Sequence, residues 1–202
     1  MFYIQRRVQQ TIFLLVLMIL CQPVIAQSWS TEQLAAANTA KHIREASSVE
    51  KEIIQYINLC RLYPQQFAVE VAGYQPPASY GDYLKDSPYK RSLIKTLTKQ
   101  QPLPALQFDA ALYQDAACFS EELGSSGRVG HKRVKCAPHN YAECCSFGMK
   151  GGKDIAMQWL IDHEVASLGH RNNCLNPAYH KIGVSVHDHT TWKVCAVAEM
   201  IW

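Results

Sequence analysis

From Lys181 onward the chain alternates at the strand period, whereas before it apolar residues recur at helical spacing. That switch confines the fold to helices packed on a small sheet. Ile182, Val184 and Val186 alternate with Lys181, Gly183 and Ser185, and a turn at Asp188-His189-Thr190 leads into a second apolar strand. Upstream, Val49, Ile53, Ile57 and Cys60 form one helical stripe, and Ser47 and Glu50 have the spacing of a capping box. Pro64 marks a restart. Gly73 to Pro104 is rich in turn residues, with a short helix expected over Tyr89–Thr98. The clearest helix runs from Asp109 to Leu123. Phe108, Leu112, Ala116, Phe119 and Leu123 make its stripe, Asp109 is its N-cap and Gly124 its expected C′ residue. Tyr141–Cys145 reads as a short strand. Asp154–Asp162 reads as a helix with Ile155 and Trp159 facing inward. The fold class is α+β.

The first 26 residues have the form of a secretory signal. Arg6 and Arg7 precede the apolar run Ile12–Cys21, and Val24 and Ala26 supply small residues before a cut at Gln27. Ten apolar residues fall short of the ~20 that span a bilayer, so no transmembrane anchor is expected. The organisation expected is therefore a signal peptide over 1–26, an N-terminal segment over 27–48 with a short helix from Ser30, and a single domain over 49–202. Such a protein is secreted or extracellular, or periplasmic in a Gram-negative source. Without the leader, 18 basic residues face 17 acidic ones. That balance points to no nucleic-acid partner.

Seven cysteines remain in the mature chain: Cys60, Cys118, Cys136, Cys144, Cys145, Cys174 and Cys195. In an exported protein this usage implies disulfides, and the odd number leaves a thiol over. Cys174 follows the His170 segment and Cys195 lies in the last strand, so that pair is the expected long-range staple. Adjacent Cys144 and Cys145 point to opposite faces of a strand and need different partners.

Of the eight histidines, His42, His139, His180, His187 and His189 sit in polar or turn-like surroundings and read as solvated. His131 and His170 differ. Gly130-His131 follows a helix, and Gly169-His170-Arg171 follows Trp159 and the acids Asp162 and Glu164. Glu143 lies between them in an otherwise apolar strand, where burial demands a partner. Two imidazoles with carboxylates suit a divalent cation or general acid–base work. A Cys144 or Cys145 nucleophile beside His131 competes with disulfide pairing, which an oxidising compartment favours. No Gly-x-Ser-x-Gly segment suggests a serine hydrolase.

These pieces, in this order, resemble the CAP superfamily (cysteine-rich secretory proteins, antigen 5, pathogenesis-related proteins), and the bacterial-type SCP domain in particular. Asn58-x-x-Arg61 resembles the family's opening helix and Leu103–Asp109 its next segment. Gly130-His131 matches its first histidine, and Tyr141-Ala142-Glu143 its Glu-containing strand. Trp159 with Gly169-His170-Arg171-Asn172-Asn173, then Asn176-Pro177, resembles the bacterial branch. The resemblance implies an α-β-α sandwich, with helices packed on a small antiparallel sheet. It also implies a cleft of two histidines and two acids that binds zinc or another divalent cation. The histidines are then His131 and His170, and the first acid is Glu143. The second is Asp162, one methylene shorter than the family's Glu. Glu164 is the rival, although two further helical residues turn it away by roughly 200°. Cys144 stands where the family carries Asn. The resemblance does not settle the activity; with the second acid shortened and Cys144 beside the first, the expectation is a non-catalytic module whose cleft takes a metal and a lipid, small-molecule or protein ligand. A metal-dependent extracellular peptidase or esterase is the alternative.

Overall fold

The computed structural model describes residues 28–202; the leader reading and Cys21 lie outside them. Helix α1 (Thr31–Ala37) starts at a complete Ser30/Gln33 capping box. Helix α2 (Ser48–Leu62) starts at the Ser47/Glu50 box, with both reciprocal bonds made. Pro64 opens α3 (Pro64–Gly73) at its first turn, where its missing N–H costs nothing. A single 3₁₀ turn (Ala78–Tyr80) and α4 (Pro88–Leu97) follow.

The two-residue strand β1 (Gln107–Phe108) leads into α5 (Ala110–Ser126), capped by the Asp109 carboxylate on the N–H groups of Ala111 and Leu112. After a long loop come β2 (Ala142–Phe147), α6 (Gly152–Ile161) and α7 (Gly169–Cys174). The hairpin β3 (Lys181–His189) and β4 (Lys193–Ile201) closes the chain. Its turn falls at Thr190–Trp192, two residues later than the sequence suggests, because His189 still pairs with Lys193.

The sheet order is β1-β3-β4-β2, antiparallel except for the short β1, which runs parallel to β3. Strand alternation divides the interior in two. Cys144, Ile182, Val184, Ala196, Ala198 and Met200 join the cluster built by α2, α3, α4 and α6. Cys145, Cys195 and Val197 face the opposite way, onto Ala116, Phe119 and Leu123 of α5. The result is an α-β-α sandwich. The N-terminal segment reaches the first cluster too, through Ala37 and Ala40.

Helix α5 ends later than its sequence suggests. Gly127, not Gly124, adopts the left-handed cap (φ 68°), while Gly124 stays helical. Gly124 is glycine for a different reason: a Cβ there would stand 2.0 Å from the Asp188 carbonyl oxygen. On the same face, a Cβ at Gly183 would stand 2.1 Å from the Tyr113 nitrogen. Backbone contact at these two points seats α5 directly on the hairpin.

Two buried polar residues of α2 organise the loops. Asn58 donates to the carbonyls of Ala37 and Leu106 and accepts the Leu106 N–H. Fully buried Arg61 donates to the carbonyls of Pro104, Cys174, Asn176 and Tyr179, at 2.8–3.0 Å. An Asn-x-x-Arg spacing puts both side chains within one turn of the helix, close enough to gather neighbouring loops.

The expected Cys174–Cys195 bond is not formed. Cys174 belongs to the cluster on one face of the sheet and Cys195 to the cluster on the other, so the sheet itself separates them. The disulfide that the described residues do hold is Cys118–Cys136. Cys60, Cys144, Cys145, Cys174 and Cys195 are buried thiols. Cys144 and Cys145 point to opposite faces, as alternation requires.

Candidate functional site

His131 lies on the loop between α5 and β2, and α5 holds that loop at two points one helical turn apart. Cys118 is bonded to Cys136. The buried Glu122 carboxylate accepts the N–H groups of Val134, Lys135 and Cys136 at 2.8–2.9 Å and is paired with Arg128. Burial opposes its charge, but the N–H groups and the guanidinium prevail, and Glu122 is held down to about 2. The loop is thus fixed from its middle, with His131 half-exposed at its tip.

Glu143 of β2 meets His131: Nδ1 to Oε1 is 2.6 Å. The other carboxylate oxygen accepts from Arg133 at 2.7 Å. Directly across the ladder from Glu143 stands Glu199 of β4. Two carboxylates opposed in a sheet repel. The structure answers with one guanidinium and one proton. The Arg133 Nη2 reaches Glu199 at 2.5 Å and Asp115 at 3.0 Å as well as Glu143. Burial and the Glu143 charge push Glu199 far above the carboxylate range, so it is the partner that keeps its proton. Glu143 is held below its ordinary value: burial opposes that, but bonds from His131, Glu199 and Arg133 outweigh it. The hydrogen bond to Glu143 in turn raises His131.

His139, read from the sequence as solvated, closes this network. Its Nδ1 accepts the Tyr141 N–H, which leaves Nε2 as the donor, 3.1 Å from Asp115 and 3.2 Å from Glu199. Burial and the Arg133 charge lower its pKa, keeping it neutral.

The second histidine is held by the end of α6. Asp162 takes the left-handed C-cap position of α6 (φ 55°) and is buried. One carboxylate oxygen lies 2.7 Å from His170 Nδ1, and the other accepts the Arg171 N–H at 3.1 Å. The buried Arg171 guanidinium ties this corner down through the carbonyls of Leu160, Ile161 and Tyr89. Glu164 stands in solvent, its side chain 81% exposed, with only His163 nearby. The rings of His131 and His170 come together with centroids 6.2 Å apart. A cleft of about 560 Å³ opens beside His131, lined also by Arg133, His139, Glu143, Asn173 and Tyr179; His170 and Asp162 are not among its lining residues.

Two trios each bring three potential ligand atoms within 4.8 Å of one another: His131, Glu143 and Cys145, and Asp115, His139 and Glu199. The Arg133 guanidinium inside the second trio makes it hostile to a cation. Cys145 lies 3.7 Å from His131 Nδ1. It is no activated nucleophile, because burial and the neighbouring Glu143 and Glu199 push its thiol well above its ordinary value.

Sequence reasoning passed over Arg133, Asp115, His139 and Glu199. The signal for Glu199 was available: it is the lone charge in the apolar run Val194–Ile201, the same anomaly that marks Glu143.

An α-β-α sandwich with a cleft and two carboxylate-held histidines 6.2 Å apart defines a class of domain rather than an activity. The model of the cysteine-rich secretory protein family (CAP) matches residues 54–200, and the chain belongs to that family. No curated protein matches the chain. Among the described residues, no helix is long and apolar enough to cross a membrane.

Proposed function

We propose that the protein is a secreted binding module whose cleft holds a divalent cation, zinc by its ligand chemistry, between His131 and His170, and presents it to an extracellular ligand without turnover. One observation carries the reading. Each imidazole has its Nδ1 engaged by its own carboxylate, Glu143 or Asp162. A carboxylate on Nδ1 fixes the tautomer and leaves the Nε2 lone pair for a metal, the arrangement that supports metal-binding histidines. The bound cation would supply a Lewis-acidic contact for a lipid, small-molecule or protein ligand in the cleft.

The absence of turnover follows from how the acids are used. Water activation needs a base held near the attacking oxygen. Glu143 is committed to His131 and Arg133, and Asp162 to His170 and the Arg171 N–H. Neither is free to accept a proton from water. Export follows from the Arg6–Ala26 leader pattern, and the Cys118–Cys136 bond fits an oxidising compartment.

Calorimetric zinc titration of the mature protein tests this. His131→Ala and His170→Ala should each weaken binding by roughly 100-fold, since each removes a metal ligand. Unchanged affinity in both variants overturns the metal site. Zinc-dependent cleavage of a peptide or ester panel, abolished by Glu143→Gln, would replace the binding reading with a hydrolase.

A further inference from the structure

Two thiols that the site does not use are buried in the same cluster, on the strand and the helix that carry Glu143 and His170. Cys144 leaves β2 on the face opposite Cys145, and Cys174 is the last residue of α7. Both are fully buried in the same cluster. His170 and Cys174 stand four residues apart on α7 and therefore share a helix face. That face meets β2. The Cys144 Sγ lies 3.8 Å from the His170 carbonyl oxygen and 3.9 Å from Asn173 Nδ2. Asn173 also donates to the Glu143 carbonyl at 3.1 Å, so α7 is seated on this part of the strand. Cys144 therefore lies against the turn of α7 that Cys174 closes, and both thiols belong to one buried cluster. Cys118 and Cys136 are already joined, and an environment that oxidises that pair also oxidises other thiols that fold into contact.

We propose that Cys144 and Cys174 form a second disulfide, which staples α7, the carrier of His170, to β2, the carrier of Glu143. The oxidant is a protein or low-molecular-weight disulfide. The Cys174 thiolate attacks one of its sulfurs and expels a thiolate, giving a mixed disulfide. The Cys144 thiolate then attacks the Cys174 sulfur and expels the second thiolate. The two cysteine protons end on the reduced dithiol, so the oxidant gains the two electrons that Cys144 and Cys174 lose. The exchange takes place before the core closes, because in the folded chain both sulfurs are inaccessible.

Other pairings are less well placed. Cys60 shares the buried cluster but sits on α2, not on β2, the strand on which α7 is seated. Cys145 and Cys195 lie across the sheet. Cys195 instead directs its thiol to the Ser120 carbonyl at 3.3 Å.

The mature chain, refolded in a glutathione redox buffer, denatured and alkylated, tests the bond by peptide mapping. Fragmentation between Cys144 and Cys145 places the link. Alkylation confined to Cys60, Cys145 and Cys195, with a Cys144–Cys174 peptide present, is the expected result. Alkylated Cys144 and Cys174, or a Cys60–Cys174 peptide, overturns the proposal. Thermal unfolding gives a second readout that does not depend on zinc. The gap in Tm between oxidised and reduced protein should be larger in the wild type than in Cys174→Ser by roughly 5–10 °C. Equal gaps also overturn it.

Discussion

Arg61→Ala is expected to destabilise the fold by about 4–5 kcal/mol, the range of the largest single-residue effects. Arg61 is fully buried, and among the described residues no carboxylate pairs with it. Its charge is solvated instead by four carbonyl oxygens, of Pro104, Cys174, Asn176 and Tyr179. Bonds to a charged donor are worth more than neutral ones, and acceptors left unpaired in the interior add their own cost. The carbonyls come from two different loops and the end of α7, so the loss is also a loss of loop placement. One of these carbonyls ends α7, the helix that carries His170. Arg61→Lys should recover only part of the stability, because an ammonium cannot fork across acceptors that a planar guanidinium reaches together. Urea denaturation measures both variants. A loss under about 1 kcal/mol for Arg61→Ala would show that water replaces the side chain.

Glu122→Gln should cost roughly 2–3 kcal/mol at neutral pH, since it replaces one charge that holds three N–H groups and a guanidinium. The pH dependence identifies the cause. The folded Glu122 carboxyl is held at about 2, against an ordinary value of 4.5. A depressed acid stabilises fully above its unfolded pKa, and that contribution is lost as pH falls through the folded one. The difference between wild type and variant should therefore shrink between pH 4.5 and about 2. Glu199 contributes with the opposite sign. As a raised acid it stabilises below 4.5 and loses that contribution as pH rises. Subtracting the variant's stability curve from the wild type's removes the Glu199 contribution, because both proteins carry it. A difference that stays constant from pH 7 to pH 2.5 would mean that the Glu122 carboxylate is not what holds the loop. Glu122→Gln should also weaken zinc binding through His131 while leaving the Asp162–His170 pair untouched.

Several local features were legible from a few neighbouring residues. The Ser47/Glu50 box, the Asp109 cap and the Pro64 restart depend on backbone groups within one turn, so their spacing alone specifies them. The strand alternation from Lys181 predicts the hairpin, and it also predicts that Cys144 and Cys145 part company. The end of α5 was misplaced because two glycines compete for it. Gly127 supplies the left-handed cap, whereas Gly124 is required by the approach of Asp188 from another element. Nothing near Gly124 in the sequence records that approach.

Residue types, periods and caps were enough to fix the α+β class and to mark His131, His170 and Glu143 as candidates, by their context or by a charge in an apolar segment, whereas the choice of Asp162 as the second acid came from the family resemblance. Tertiary structure alone decided which groups meet. Strand register sets Glu199 opposite Glu143, and the path of a long loop brings Arg133 and His139 between them. The same holds for the cysteines. Cys174 and Cys195 looked like partners along the chain, but a sheet has two faces, and side chains on opposite faces cannot reach each other through it.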